Sequence, residues 1–166
     1  LLSLPTIILL GLSLIINSST AFAENAEFYI NRGIKKANKG DLDNAILDYN
    51  KAIEIDPDSA DAYYNRAYDK ARAGNLEGAI ADYSKVIEIT PNDADAYFNR
   101  GNNKKILQKY KSSIIDYNKA ISINSKYTDA YYNRGNSKLQ LSQYLQSIED
   151  YDKVISINPQ YIDAYF

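Results

Sequence analysis

The sequence predicts an all-α protein: a right-handed superhelical solenoid of stacked antiparallel helix hairpins. Two observations carry this. The phrase "DAYYNRG" at Asp129–Gly135 recurs as "DAYYNRA" from Asp61 and "DAYFNRG" from Asp95, with a looser "EFYINRG" from Glu27. Several columns also keep one 34-residue step: Tyr29, Tyr63, Tyr97, Tyr131 and Tyr165; Asp48, Asp82, Asp116 and Asp150; Ile53, Ile87, Ile121 and Ile155. Independent columns held in phase over four copies mark a tandem array.

Residues 1–23 are different in kind. "LLSLPTIILLGLSLII" is almost purely apolar, and "NSSTAFA" then runs to Ala23. An apolar stretch, a short polar one and small residues at Ala21 and Ala23 fit a secretory signal peptide cut before Glu24. Its basic beginning is missing and the chain does not open on methionine, so the peptide is read as incomplete at its start. Pro5, Gly11 and the polar Asn17–Thr20 favour cleavage over a membrane anchor formed by residues 1–23. The expected location is therefore outside the cytoplasm: periplasm, lumen or extracellular space.

The repeats then fall at 26–59, 60–93, 94–127 and 128–161, and residues 162–166 open a truncated fifth. Within the second unit, the run from Ala60 to Arg72 has no internal breaker, and Ala73–Asn75 supply a helix stop and turn. Ala79, Ile80, Tyr83, Val86 and Ile87 then form an apolar stripe at helical period. Pro91 ends that second helix, and Asn92 or Asp93 is offered as the cap of the next. Asp41 and Asp43 are read as caps in the corresponding turn of the first unit. Each hairpin has an apolar side that it cannot bury alone, so the units must stack.

Composition narrows the chemistry. The net charge is −2, which gives no electrostatic reason to expect nucleic acid. There is no cysteine, histidine, methionine or tryptophan, so thiolate nucleophiles, imidazole bases and the usual zinc ligands are excluded. No cofactor and no metal are expected, and no catalytic residue is assigned. Almost every polar residue of note is one of four copies, whereas a catalytic site needs a unique constellation.

These units resemble the tetratricopeptide repeat family over essentially everything after Ala23. The resemblance rests on Tyr29, Gly33, Ala45, Tyr49, Ala52 and Pro57 in the first unit, and Tyr63, Ala67, Gly74, Ala79, Tyr83, Val86 and Pro91 in the second. Tyr97, Gly101, Tyr117 and Ala120 continue it in the third, and Tyr131, Gly135, Tyr151 and Pro159 in the fourth. There are departures. Arg32, Arg66, Arg100 and Arg134 stand where the family commonly has a large apolar residue, and Lys36, Lys70, Lys104 and Lys138 where it has a tyrosine. Ser113, Ser125 and Ser147 replace Ala, Pro and Ala. An arginine facing the partner helix is costly unless paired. The expected structural ion pairs are therefore Arg32–Asp48, Arg66–Asp82, Arg100–Asp116 and Arg134–Asp150; the alternative is that both charges are solvated.

The resemblance implies a non-catalytic protein–protein interaction scaffold that holds an extended peptide or partner helix in a concave groove lined by the first helix of each unit. Three columns are candidates for that groove. Asn31, Asn65, Asn99 and Asn133 carry amides that both donate and accept. Tyr64, Phe98 and Tyr132, with Ile30, offer contact area. Asp61, Asp95 and Asp129, with Glu27, would favour basic ligands. Alternatively the asparagines bond between repeats and the aromatics pack there. The carboxylate clamp known in part of the family is not expected, because Ile30, Ile34, Phe98 and Asn102 occupy its positions. The partner is thus a protein or peptide, with a membrane met only through an uncleaved N-terminus and the oligomeric state left open. Two other roles stay in view: a structural spacer or targeting region of a longer protein whose effector domain lies beyond residue 166, and an RNA-binding helical repeat using the lysine column.

Overall fold

Eight α-helices follow one another in pairs in the computed structural model, which describes residues 25–165. The signal-peptide reading of residues 1–23 lies outside those residues. The helices are α1 (Ala26–Ala37), α2 (Leu42–Ile55), α3 (Ala60–Arg72), α4 (Leu76–Ile89), α5 (Ala94–Ile106), α6 (Tyr110–Ile123), α7 (Thr128–Gln140) and α8 (Tyr144–Ile157). A 3-10 turn, Ile162–Ala164, follows α8. There is no strand among the described residues, and no helix there is long and apolar enough to cross a membrane.

Local chemistry sets the boundaries. Asn25, Ser59, Asn75 and Asp93 each accept a hydrogen bond from a backbone N–H three residues on, satisfying a free donor of the first turn. Asp41 stands at the start of α2 but does not cap it in that way. Its carboxylate accepts from the Asn44 side chain at 2.9 Å, and Asp43 already lies in the first helical turn. The carboxylate is thus engaged by a nearer amide, which corrects the capping expected for this pair.

The turn inside every hairpin is the same. The backbone N–H groups of Asp41, Asn75, Lys109 and Gln143 return to the carbonyls of Lys36, Lys70, Lys104 and Lys138 at 2.8–3.1 Å. This closure needs a left-handed residue just before the returning N–H. Gly40 and Gly74 fill that place at φ 85° in the first two repeats. Gln108 and Ser142 fill it at φ 59° in the others, where a side chain is strained.

Packing follows the period. Ala45, Ala52, Ala79 and Ala120 are fully buried, as is Ala62 on the adjoining first helix, and the Tyr49, Tyr83 and Tyr117 rings lie between the helices of the first three pairs. A Cβ at Gly101 would come within 2.8 Å of Tyr117 Cε1, so the small residue there permits the close ring approach. Ser113, in place of the buried alanine, donates to the Tyr110 carbonyl at 2.8 Å and lies 3.0 Å from Ser137 Oγ. Its hydroxyl is therefore satisfied without water. Successive first helices touch (α1 with α3, α3 with α5, α5 with α7), while the second helices make no comparable contact with one another. The array therefore curves with α1, α3, α5 and α7 on its inner wall.

Candidate functional site

Each hairpin is tied across its middle by charge. Arg66 grips both oxygens of Asp82 from Nε (2.8 Å) and Nη2 (2.7 Å), and the same fork joins Arg32 to Asp48, Arg100 to Asp116 and Arg134 to Asp150. The four aspartates are buried. A second cation completes each set: Lys36, Lys70, Lys104 and Lys138 reach the same carboxylates at 2.7–2.8 Å. One carboxylate between two cations satisfies the helix interface on both sides. The lysines lie one helical turn after the arginines and share their period, the sequence signal that marks them as candidates for the same clamp. They are bound up inside the hairpins, so they do not form the free basic surface that phosphate recognition requires. At Asp48 the Arg32 bond outweighs burial and, with Lys36, holds the carboxyl below its ordinary value.

The arginines do more. Each guanidinium carbon lies 4.8–5.5 Å from the centre of the tyrosine ring one turn earlier: Tyr29, Tyr63, Tyr97 or Tyr131. Nη1 of Arg66, Arg100 and Arg134 also donates backwards, to Asn50, Ser84 and Asn118 on the second helix of the preceding hairpin. One side chain therefore joins two hairpins.

The asparagine column runs along the seam between successive first helices, with a different partner in each of the last three repeats. Asn31 is exposed, and Asn65 donates to the Asp61 carbonyl of its own helix at 2.8 Å. Asn99 donates to the Tyr64 hydroxyl of the preceding first helix at 2.8 Å. Asn133 accepts from the Lys105 ammonium, again across the seam. Oδ1 of Asn65 and Asn99 and Nδ2 of Asn133 make no hydrogen bond among the described residues.

The aromatic column is largely packing. Tyr64 meets Tyr83 edge to face with centroids 5.3 Å apart, and Phe98 lies 4.8 Å from Tyr127. Tyr132 is 5.1 Å from Tyr161, and all three rings are half-buried. Burial, helped by Asp95 and Asp93, pushes the Tyr64 hydroxyl up to about 12, so it stays a neutral donor and acceptor. Ile30 packs with Tyr29 against Ala52 and Ala62.

Glu27, Asp61, Asp95 and Asp129 are exposed. Asp95 accepts from the Tyr127 hydroxyl, and Asp129 from Tyr161 at 3.1 Å, so two of these carboxylates also staple neighbouring repeats. Burial first, and then the bond to Asp95, drives the Tyr127 hydroxyl upward.

A cleft of about 440 Å³ lies beside α8, lined by Leu139, Tyr144, Ile148, Tyr151, Ile155 and Tyr165 among others. Ala164 is buried there at the register of Ala62, Ala96 and Ala130, so this cleft lies on the face of α8 that corresponds to the one covered by a first helix in the earlier repeats. No group of metal-holding side chains occurs among the described residues.

A family model described as "TPR repeat" matches residues 36–71, 70–103 and 105–142, and one described as "Tetratricopeptide repeat" matches 128–161. Two crystal structures of MamA resemble the chain. One is 32% identical with TM-score 0.78, covering 80% of this chain and 78% of that one. The other is 31% identical with TM-score 0.82, covering 86% and 78%. A tetratricopeptide repeat protein from Parabacteroides merdae, 24% identical with TM-score 0.79 over 84% of this chain and 56% of its own, shares the fold. No curated protein matches the chain.

Proposed function

The chain belongs to the tetratricopeptide repeat family of protein–protein interaction scaffolds, and from that premise we propose that its inner wall holds an extended peptide or a partner helix. The observation that carries this reading is the asparagine column on the seam of α1, α3, α5 and α7. Each amide in the second to fourth repeats keeps one half uncommitted, as a main-chain ligand requires: Oδ1 of Asn65 and Asn99 to accept, Nδ2 of Asn133 to donate. Beside them the exposed halves of Tyr64, Phe98 and Tyr132 supply apolar contact, and the free carboxylate of Asp61 favours a basic residue on the ligand. The role is binding without catalysis, and residues 1–23 direct the chain out of the cytoplasm, so that the mature form begins at Glu24.

Peptide display on the chain, followed by fluorescence polarisation with a selected peptide, tests the groove. Two lost amide bonds at about 0.5–1.5 kcal/mol each make the Asn65→Ala, Asn99→Ala variant bind roughly five- to a hundred-and-fiftyfold more weakly, with helical circular dichroism unchanged. Unaltered affinity removes the asparagine column from the reading; loss of helix makes it structural. Intact-mass measurement of the exported chain tests the cleavage at Glu24.

A further inference from the structure

Toward its C-terminal end each second helix carries an exposed lysine: Lys51, Lys85, Lys119 and Lys153. In the first two repeats the glutamate three residues on neutralises it, Glu54 at 2.6 Å from Lys51 and Glu88 at 2.5 Å from Lys85. In the last two, Ser122 and Ser156 stand in the glutamate's place. The turn after the second helix changes as well: Asp58 of the first repeat gives way to Asn92 and then to Lys126. At the junction of the third and fourth repeats the two exchanges bring a pair of lysines together.

The same pocket recurs at two junctions with opposite charge. Between the first and second repeats it measures about 480 Å³ and is lined by Pro57, Asp58, Tyr63, Lys85, Glu88 and Ile89. Between the third and fourth it measures about 400 Å³ and is lined by Ser125, Lys126, Tyr131, Lys153, Ser156 and Ile157. One lysine facing two carboxylates has become two lysines facing none. Unlike the clamp lysines, Lys126 and Lys153 are exposed and form no ion pair among the described residues. The neutral groups are mostly committed: the Ser156 hydroxyl donates to the Lys153 carbonyl at 2.8 Å, and that of Tyr131 to the Ser125 carbonyl at 3.4 Å. The Ser125 hydroxyl makes no hydrogen bond among the described residues and is left to donate. The approach is positive too. α6 exposes Lys111 and Lys119, and its one carboxylate, Asp116, is buried between Arg100 and Lys104.

We infer that Lys126, Lys153 and Ser125 form a binding site for a phosphate group, carried either on a free phosphate or small phosphate ester or on a lipid headgroup. A dianion matches two ammonium groups, whereas a carboxylate would leave one unmet; the Tyr131 ring and Ile157 flank the space for an organic stem. The site shares no residue with the groove candidates, so it goes beyond the peptide-binding reading and does not depend on it.

The test is an NMR titration of the isotope-labelled chain at about pH 8, where phosphate is a dianion, following the backbone amides of Ser125, Lys126, Lys153 and Ser156. The probes are inorganic phosphate, glycerol phosphate, and chloride at matched ionic strength. Co-sedimentation with phosphatidylcholine vesicles, with and without phosphatidate, runs beside it. Saturable shifts with either phosphate and not with chloride support the site; sedimentation only with phosphatidate identifies the headgroup as the source, and its absence identifies the free ester. Lys126→Gln and Lys153→Gln should each weaken binding by about two- to fivefold, as loss of one exposed ion pair implies. The double variant Lys126→Asp, Ser156→Glu rebuilds the lining of the first junction on an exposed surface and should abolish saturation with helical circular dichroism unchanged. Equal shifts with phosphate and chloride, or undiminished phosphate binding in that double variant, would overturn the proposal.

Discussion

Asp82→Asn isolates the charge clamp with almost no change in shape. It leaves Arg66 and Lys70, now 2.7 Å and 2.8 Å from an uncharged group, as like charges side by side on α3 with no countercharge from α4. Breaking a buried pair by removing one partner typically costs about 3–5 kcal/mol. The Arg66 and Lys70 side chains remain 15% and 19% exposed, so some hydration is regained, and about 3 kcal/mol is expected. The first repeat provides an internal comparison. Arg32 and Lys36 are 41% and 32% exposed, and exposed pairs contribute only about 0–1 kcal/mol, so Asp48→Asn should cost about 1 kcal/mol. Thermal melts followed at 222 nm convert these values at about 2–4 °C per kcal/mol. Asp82→Asn should thus melt about 6–12 °C lower, and Asp48→Asn about 2–4 °C lower. Equal shifts, or both variants within a degree of the parent, would refute the argument that burial of the cations decides the strength of the clamp.

Two further outcomes follow from the same geometry. Gln108→Gly and Ser142→Gly relieve a left-handed backbone at φ 59°, and after the entropic cost of glycine each should raise stability by about 0.5–1 kcal/mol in urea unfolding. For acid, the Asp48 carboxyl is held below its unfolded value by Arg32, so its contribution is fully present above roughly pH 4 and is lost as pH falls through the folded value. Melting temperature should be level from about pH 7 to 5, fall below about pH 4, and fall less in Asp48→Asn.

The architecture was readable because each hairpin depends on local signals that repeat: the Ala73–Asn75 stop, the Pro91 break and the Asp93 cap all act within a few residues of themselves. Pairing of the arginine and aspartate columns was also open to inference, since a buried fork demands a carboxylate. The lysines of the same clamp share the arginines' period, but a long side chain one turn away can point to solvent or inward, and only packing decides. The asparagines show the same limit. Identical letters at Asn65, Asn99 and Asn133 meet a carbonyl, a hydroxyl and an ammonium, since their neighbours across the seam are not repeated. Strain at Gln108 and Ser142 was hidden for a different reason: these residues give no sign of a left-handed turn, which the returning Lys109 and Gln143 N–H groups impose.

The arginines that reach back to Asn50, Ser84 and Asn118 have a mechanical consequence. Because one guanidinium fastens its own hairpin and the one before it, a tug that opens either strips the other of its support. Under load from the two ends, the array should yield in one long rupture instead of shedding hairpins singly.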